Sequence, residues 1–125
     1  MLRKWLGRLW NQREASTRVP TALVVDTLDC DGQPHTGETE DVSETGIRLR
    51  FQRADIAGLI GHRELVPQEI RLDPEGDPVA VQSRLVWAYN ASDGGTVCGW
   101  QFLHYEEDAH DRLREFVERS DSDEA

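Results

Sequence analysis

Apolar and polar positions alternate with a period of two through most of the chain, and a helical period appears near its two ends and, interrupted, around Ile56–Ile60. The clearest alternation runs from Asp41 to Phe51. Ile47, Leu49 and Phe51 fall on one side, and Thr45, Arg48 and Arg50 on the other. This is the pattern of a half-buried strand led by a polar turn. Further strands are predicted over Thr21–Leu28, residues 33–41, Glu69–Asp73, Val79–Tyr89 and Thr96–Tyr105. Turn chemistry separates them: Asp29-Cys30-Asp31-Gly32, Pro74-Glu75-Gly76-Asp77-Pro78, and the Gly- and Asp-containing loop from Asn90 to Gly95. The Val79–Tyr89 alternation is imperfect across Gln82–Arg84, which suggests a bulge. Residues 52–66 read as a short helix or a loop, because Gly58 and Gly61 interrupt the helical spacing of Ile56, Leu59 and Ile60.

Leu2, Trp5, Leu6, Leu9 and Trp10 recur at helical spacing, with Arg3, Lys4 and Arg8 between them. An amphipathic helix over residues 1–10 follows. So short a helix is marginal alone and must dock: on its own domain, a partner, a second copy or a membrane surface. Residues 11–18 form a polar joint, and Val19-Pro20 stops any helix there. At the other end, Ala109, Leu113, Phe116 and Val117 give a second amphipathic helix after the acidic residues Glu106-Glu107-Asp108. Residues from about 119 to 125 read as a solvated acidic tail. Short strands linked by turns predict a mainly β fold, an antiparallel barrel or sandwich; the short length between Val19 and Tyr105 favours a six-stranded antiparallel barrel, with a C-terminal helix. The stretch 11–118 is then a single domain.

Composition narrows the function. The 125 residues carry a net charge of −10, which argues against a general nucleic-acid or DNA binder, since phosphate neutralisation needs a basic surface. Cys30 and Cys98 make neither CxxC nor a disulfide framework and read as free thiols in a cytoplasmic, reducing setting. No apolar run is long enough to span a bilayer, and the start lacks the apolar core of a signal peptide.

Four histidines, His35, His62, His104 and His110, have no metal-ligand spacing with one another or with the cysteines. No nucleophile elbow, phosphate loop or dinucleotide fingerprint is present, so an enzyme and a resident cofactor find no positive support. What remains is Arg13, Arg18, Asp41, Ser43 and Gly46. Asp41, Ser43 and Gly46 place a carboxylate, a hydroxyl and a permissive backbone in one turn at a strand's start. Such a turn can hold a small polar ligand at the rim of a sheet, or simply satisfy its own backbone.

Asp41-x-Ser43-x-x-Gly46 fits the [Asp/Asn]-x-Ser-x-x-Gly motif of the PilZ domain, a bacterial family that binds cyclic di-GMP. Arg18-Val19-Pro20 leading into a strand resembles the end of that family's Arg-x-x-x-Arg motif. Val86-Trp87 and Gly99-Trp100-Gln101-Phe102 resemble its late strands. The resemblance covers roughly residues 11 to 118. It implies a six-stranded barrel followed by a helix, and a nucleotide receptor without catalytic or metal residues. Arg18 and Arg13 would meet guanine O6 and N7 or a phosphate, and Asp41 the guanine N1–H and N2–H. Ser43 would meet the base edge, and Gly46 would allow close backbone approach. The joint of residues 11–18 would wrap the ligand and carry the signal. One position departs from the pattern: Glu14 stands where the first arginine belongs, and Arg13 sits one residue earlier. The contrasting reading is a degenerate PilZ-like module that binds no nucleotide and uses the Trp5/Trp10 stripe on a protein or a membrane surface.

Overall fold

The computed structural model describes residues 17–53 and 56–124. The N-terminal helix expected over residues 1–10, Arg13 and Glu14 lie outside the described residues. The strands are β1 (Val19–Pro20), β2 (Val24–Leu28), β3 (Pro34–Val42), β4 (Gly46–Phe51), β5 (Val66–Arg71), β6 (Val79–Asn90) and β7 (Thr96–Tyr105). Two helices accompany them, α1 (Ile56–Ile60) and α2 (Ala109–Glu124).

All the pairings are antiparallel and run β3-β2-β5-β6-β7-β4, with β4 returning to β3. The result is a closed six-stranded barrel with a C-terminal helix. The two-residue β1 extends the β2 edge along the far half of β3, Val19 opposite Val42 and Pro20 opposite Asp41. The alternation predicts one strand over Thr21–Leu28. The ladder instead breaks there, and a side chain spans the gap. Thr39 Oγ1 accepts from Leu23 N at 2.8 Å and donates to Thr21 O at 2.5 Å. β3 shifts register at the same place, between Thr39 and Asp41.

Alternation does its work inside the barrel. Val25, Ile47, Leu49, Val66 and Ile70 point inward and are fully buried. Phe51 fills the space over Gly37, where a Cβ would lie 2.8 Å from the ring. α1 buries Ile56 and Ile60 and sits against the β2–β3 turn, where Cys30 N donates to Leu59 O at 3.1 Å. α2 packs Ala109, Leu113 and Val117 onto the core. It continues to Glu124, so the segment expected to be a tail is helical almost to its end. The expected irregularity in β6 is real and double: register shifts fall between Gln82 and Ser83 and between Leu85 and Trp87.

Candidate functional site

The turn between β3 and β4 is held from within and from behind. Ser43 Oγ accepts from Thr45 N at 3.2 Å and Gly46 N at 3.1 Å, and Ser43 N donates to Gly46 O at 2.9 Å. Ser43 is fully buried, so its hydroxyl serves the turn first. Behind it stands β7. Phe102 N donates to Thr45 O at 2.9 Å, and the Tyr105 hydroxyl donates to Glu44 O at 2.6 Å. Burial, together with the nearby Glu44 carboxylate, pushes the Tyr105 phenol up to about 12, so it stays a donor. Gly46 has an ordinary backbone; it is needed because any Cβ would run into the Trp100 carbonyl.

Asp41 ends β3 beside this turn. Its carboxylate is 11% exposed and lies between two arginines. Arg48 Nη2 approaches Oδ2 at 2.5 Å, and Arg18 Nε approaches Oδ1 at 3.2 Å. The Arg18 contact is an ion pair without hydrogen-bond alignment, because buried Oδ1 accepts no hydrogen bond. Arg18 also donates from Nη1 to Ser43 Oγ at 3.3 Å. Arg18, Asp41, Ser43 and Gly46 are thus gathered at one corner. Arg13 lies outside the described residues.

Cross-strand register extends this corner into a strip. Asp41 faces Arg48, Arg48 faces Gly99, and Gly99 faces Trp87, all in one row on the barrel's outer surface. At ~4.8 Å per strand the row spans about 14 Å. Gly99 has no side chain, so the Trp87 indole lies over it. In the next row Gly46 faces Gln101 and Gln101 faces Arg84, whose Nη2 donates to Gln101 Oε1 at 2.6 Å. Three guanidinium groups and an indole therefore share one face of a chain with net charge −10. Sequence reading missed Arg48 and Arg84 as site residues. Alternation with Ile47 and Leu49 put Arg48 on the outer face, but not beside Asp41. Among the described residues, no group of His, Cys, Asp or Glu could hold a metal ion. None of their helices is long and apolar enough to cross a membrane.

The model of the PilZ domain family matches residues 12–119. The chain belongs to the PilZ domain family. Solved structures agree with this PilZ fold. The Bacillus subtilis inhibitor of motility MotI/DgrA matches at 10% identity with a TM-score of 0.69, over 87% of this chain and 51% of that one. Escherichia coli YcgR in complex with c-di-GMP matches at 11% identity with a TM-score of 0.70, over 90% of this chain and 47% of that one. The PilZ domain of YcgR with c-di-GMP matches at 12% identity with a TM-score of 0.65, over 90% and 95%. At such identity the likeness is one of fold. This PilZ chain spans about half the length of the MotI/DgrA and full YcgR chains. No curated protein matches it in sequence.

Proposed function

We propose that this PilZ domain is a receptor for cyclic di-GMP, which it takes up on the strip from Arg18 and Asp41 to Trp87. The observation that carries the reading is the Arg18–Asp41–Ser43 corner. A half-exposed arginine stands over a buried carboxylate oxygen that no hydrogen bond engages. Swinging Arg18 off Asp41 gives the guanine N1–H and N2–H an acceptor. The freed guanidinium fork then meets O6 and N7 or a phosphate. Arg48 and Arg84 add positive charge for the phosphates, and the Trp87 indole offers a face for a purine. Ser43 and Gly46 keep the turn rigid, which fixes Asp41 in place.

In this reading Arg13 and the joint of residues 11–18 close over the bound nucleotide, and that ordering is the signal passed to a partner. Glu14 weakens the site. One charge-assisted hydrogen bond is worth about 1.5–3 kcal/mol, and a solvated like charge adds ~1 kcal/mol. Together they lower affinity roughly 10²-fold, unless Arg13 takes the missing arginine's role. Titration calorimetry of the full chain with cyclic di-GMP tests the reading. Heat that saturates at one or two nucleotides per chain supports it. No heat at high micromolar nucleotide, with the protein folded, leaves an interaction module.

A further inference from the structure

An apolar groove with an acidic flank runs along α2. The groove, about 300 Å³, lies between α2 and the turn after β5 and is lined by Leu72, Asp73, Pro74, Phe116, Arg119 and Ser120. Leu72 and Phe116 pack against the core but are only partly buried. A neighbouring cleft on α2 shares Arg119 and adds Glu115, Glu118 and Ser122. Arg119 is the one basic residue lining the two, against Asp73, Glu115 and Glu118. Among the described residues, Glu115 and Glu118 have no ion-pair partner. The first strand, β1, lies beside α2, so the chain ahead of it starts out next to this helix.

We infer that residues 1–10 dock in this groove of their own chain, with the Trp5/Trp10 stripe on Leu72, Pro74 and Phe116 and with Arg3, Lys4 and Arg8 toward Glu115 and Glu118. The charges are complementary. Residues 1–10 hold three of the 14 basic residues and no acidic one, and all 24 acidic residues lie beyond them. The tether is long enough. Seven residues separate Trp10 from Thr17 and span up to ~25 Å, and the 16 residues of α2 extend ~24 Å. It is also short enough to hold the segment at an effective concentration of about millimolar, above that of a second copy in solution. Two copies of so acidic a body repel each other besides. A membrane that attracts Arg3, Lys4 and Arg8 is anionic, and it repels the same body. The groove shares no residue with the strip from Arg18 to Trp87. The docking needs no nucleotide and stands apart from the receptor reading.

Paramagnetic relaxation enhancement on the full chain without nucleotide tests it. A nitroxide is placed on Gly7→Cys in a Cys30→Ser background, since Cys98 is buried. It should broaden the amide signals of residues 72–74 and 115–122 several-fold more than those of the β6–β7 loop, Asn90 to Gly95. Glu115→Lys with Glu118→Lys, both at exposed positions, should lower the docked-to-free ratio about tenfold. That broadening is then lost with unchanged circular dichroism. Trp5→Asp with Trp10→Asp should release the segment as well. Even broadening across the chain, or broadening centred elsewhere, overturns the inference. So does broadening that survives both double variants. Broadening seen only when spin-labelled protein is mixed with isotope-enriched unlabelled protein marks a second copy and overturns it too. The same holds for no broadening in solution together with binding to phosphatidylserine vesicles that Trp5→Asp abolishes, which marks a membrane.

Discussion

Gly46 and Trp100 are pressed together: a Cβ on Gly46 would sit well inside 3.0 Å of the Trp100 carbonyl oxygen. The obstacle is backbone and belongs to a paired central strand, so it cannot move aside cheaply. Gly46→Ala should therefore destabilise the fold by about 1–3 kcal/mol, seen as a lower urea midpoint at an unchanged slope. Gly58 in α1 is the control, because nothing lies within 4 Å of its added Cβ. Gly58→Ala should be neutral or stabilising by up to ~1 kcal/mol. Loss of ligand binding in the Gly46 variant would then reflect a displaced turn, since Gly46 offers no side chain to a nucleotide.

Arg18 should matter for binding and hardly for folding. Its ion pair with Asp41 is 46% exposed on the arginine side, and exposed pairs are worth under ~1 kcal/mol. Arg18→Ala should leave the urea midpoint nearly unchanged. It should lower cyclic di-GMP affinity about 10- to 100-fold, the worth of one charge-assisted hydrogen bond. Glu14→Arg should raise affinity by a similar factor. Calorimetry on the three proteins measures both effects; equal affinities across the set would rule out nucleotide binding at this corner.

Much of this architecture was legible because turns and alternation are local properties. Asp31-Gly32 and Asp93-Gly94 mark hairpins, with Gly32 and Gly94 at positive φ, and β7 occupies the predicted residues Thr96–Tyr105. What was not legible depends on partners distant in sequence. The break in the first strand is stabilised by Thr39, far along the next one. The meeting of Asp41, Arg48, Gly99 and Trp87 is a product of register, which no single strand's pattern contains. The helix through Glu124 is hidden in the sequence because an acidic composition suits a solvated tail and an exposed helical face alike.

Acid should weaken the β2–β3 hairpin through Asp29. The hydrogen bond from His35, with those from Gln33 N and Asp31 N, holds its carboxyl below the ordinary aspartate value of 3.8. A lowered folded value means the contribution is fully present above 3.8 and is lost as pH falls through the folded value. Asp29→Asn keeps the shape and removes that dependence. The stability gap between wild type and Asp29→Asn, measured by urea melts, should be constant near neutrality and shrink below about pH 4.

Alkali should act through Cys98. Burial pushes this thiol from 9.0 to about 11, against the smaller opposite effect of the Trp100 Nε1–H, which donates to its sulfur at 3.2 Å. A raised folded value means the folded state holds its proton longer than the unfolded chain. Stability is then full below pH 9 and declines as pH rises through about 11, by roughly 2–3 kcal/mol for two units. Tyr105 shifts in the same direction, from 10.0 to about 12, and its only partly buried ring makes its share smaller. Urea melts between pH 8 and 11.5 should show wild type losing stability faster than Cys98→Ala, with Tyr105→Phe intermediate. The same burial protects the thiol: in the native protein, disulfide reagent at pH 8 should react with exposed Cys30 and reach Cys98 only after denaturant is added. Rapid native reaction of two thiols would show that the barrel opens at β7 without unfolding.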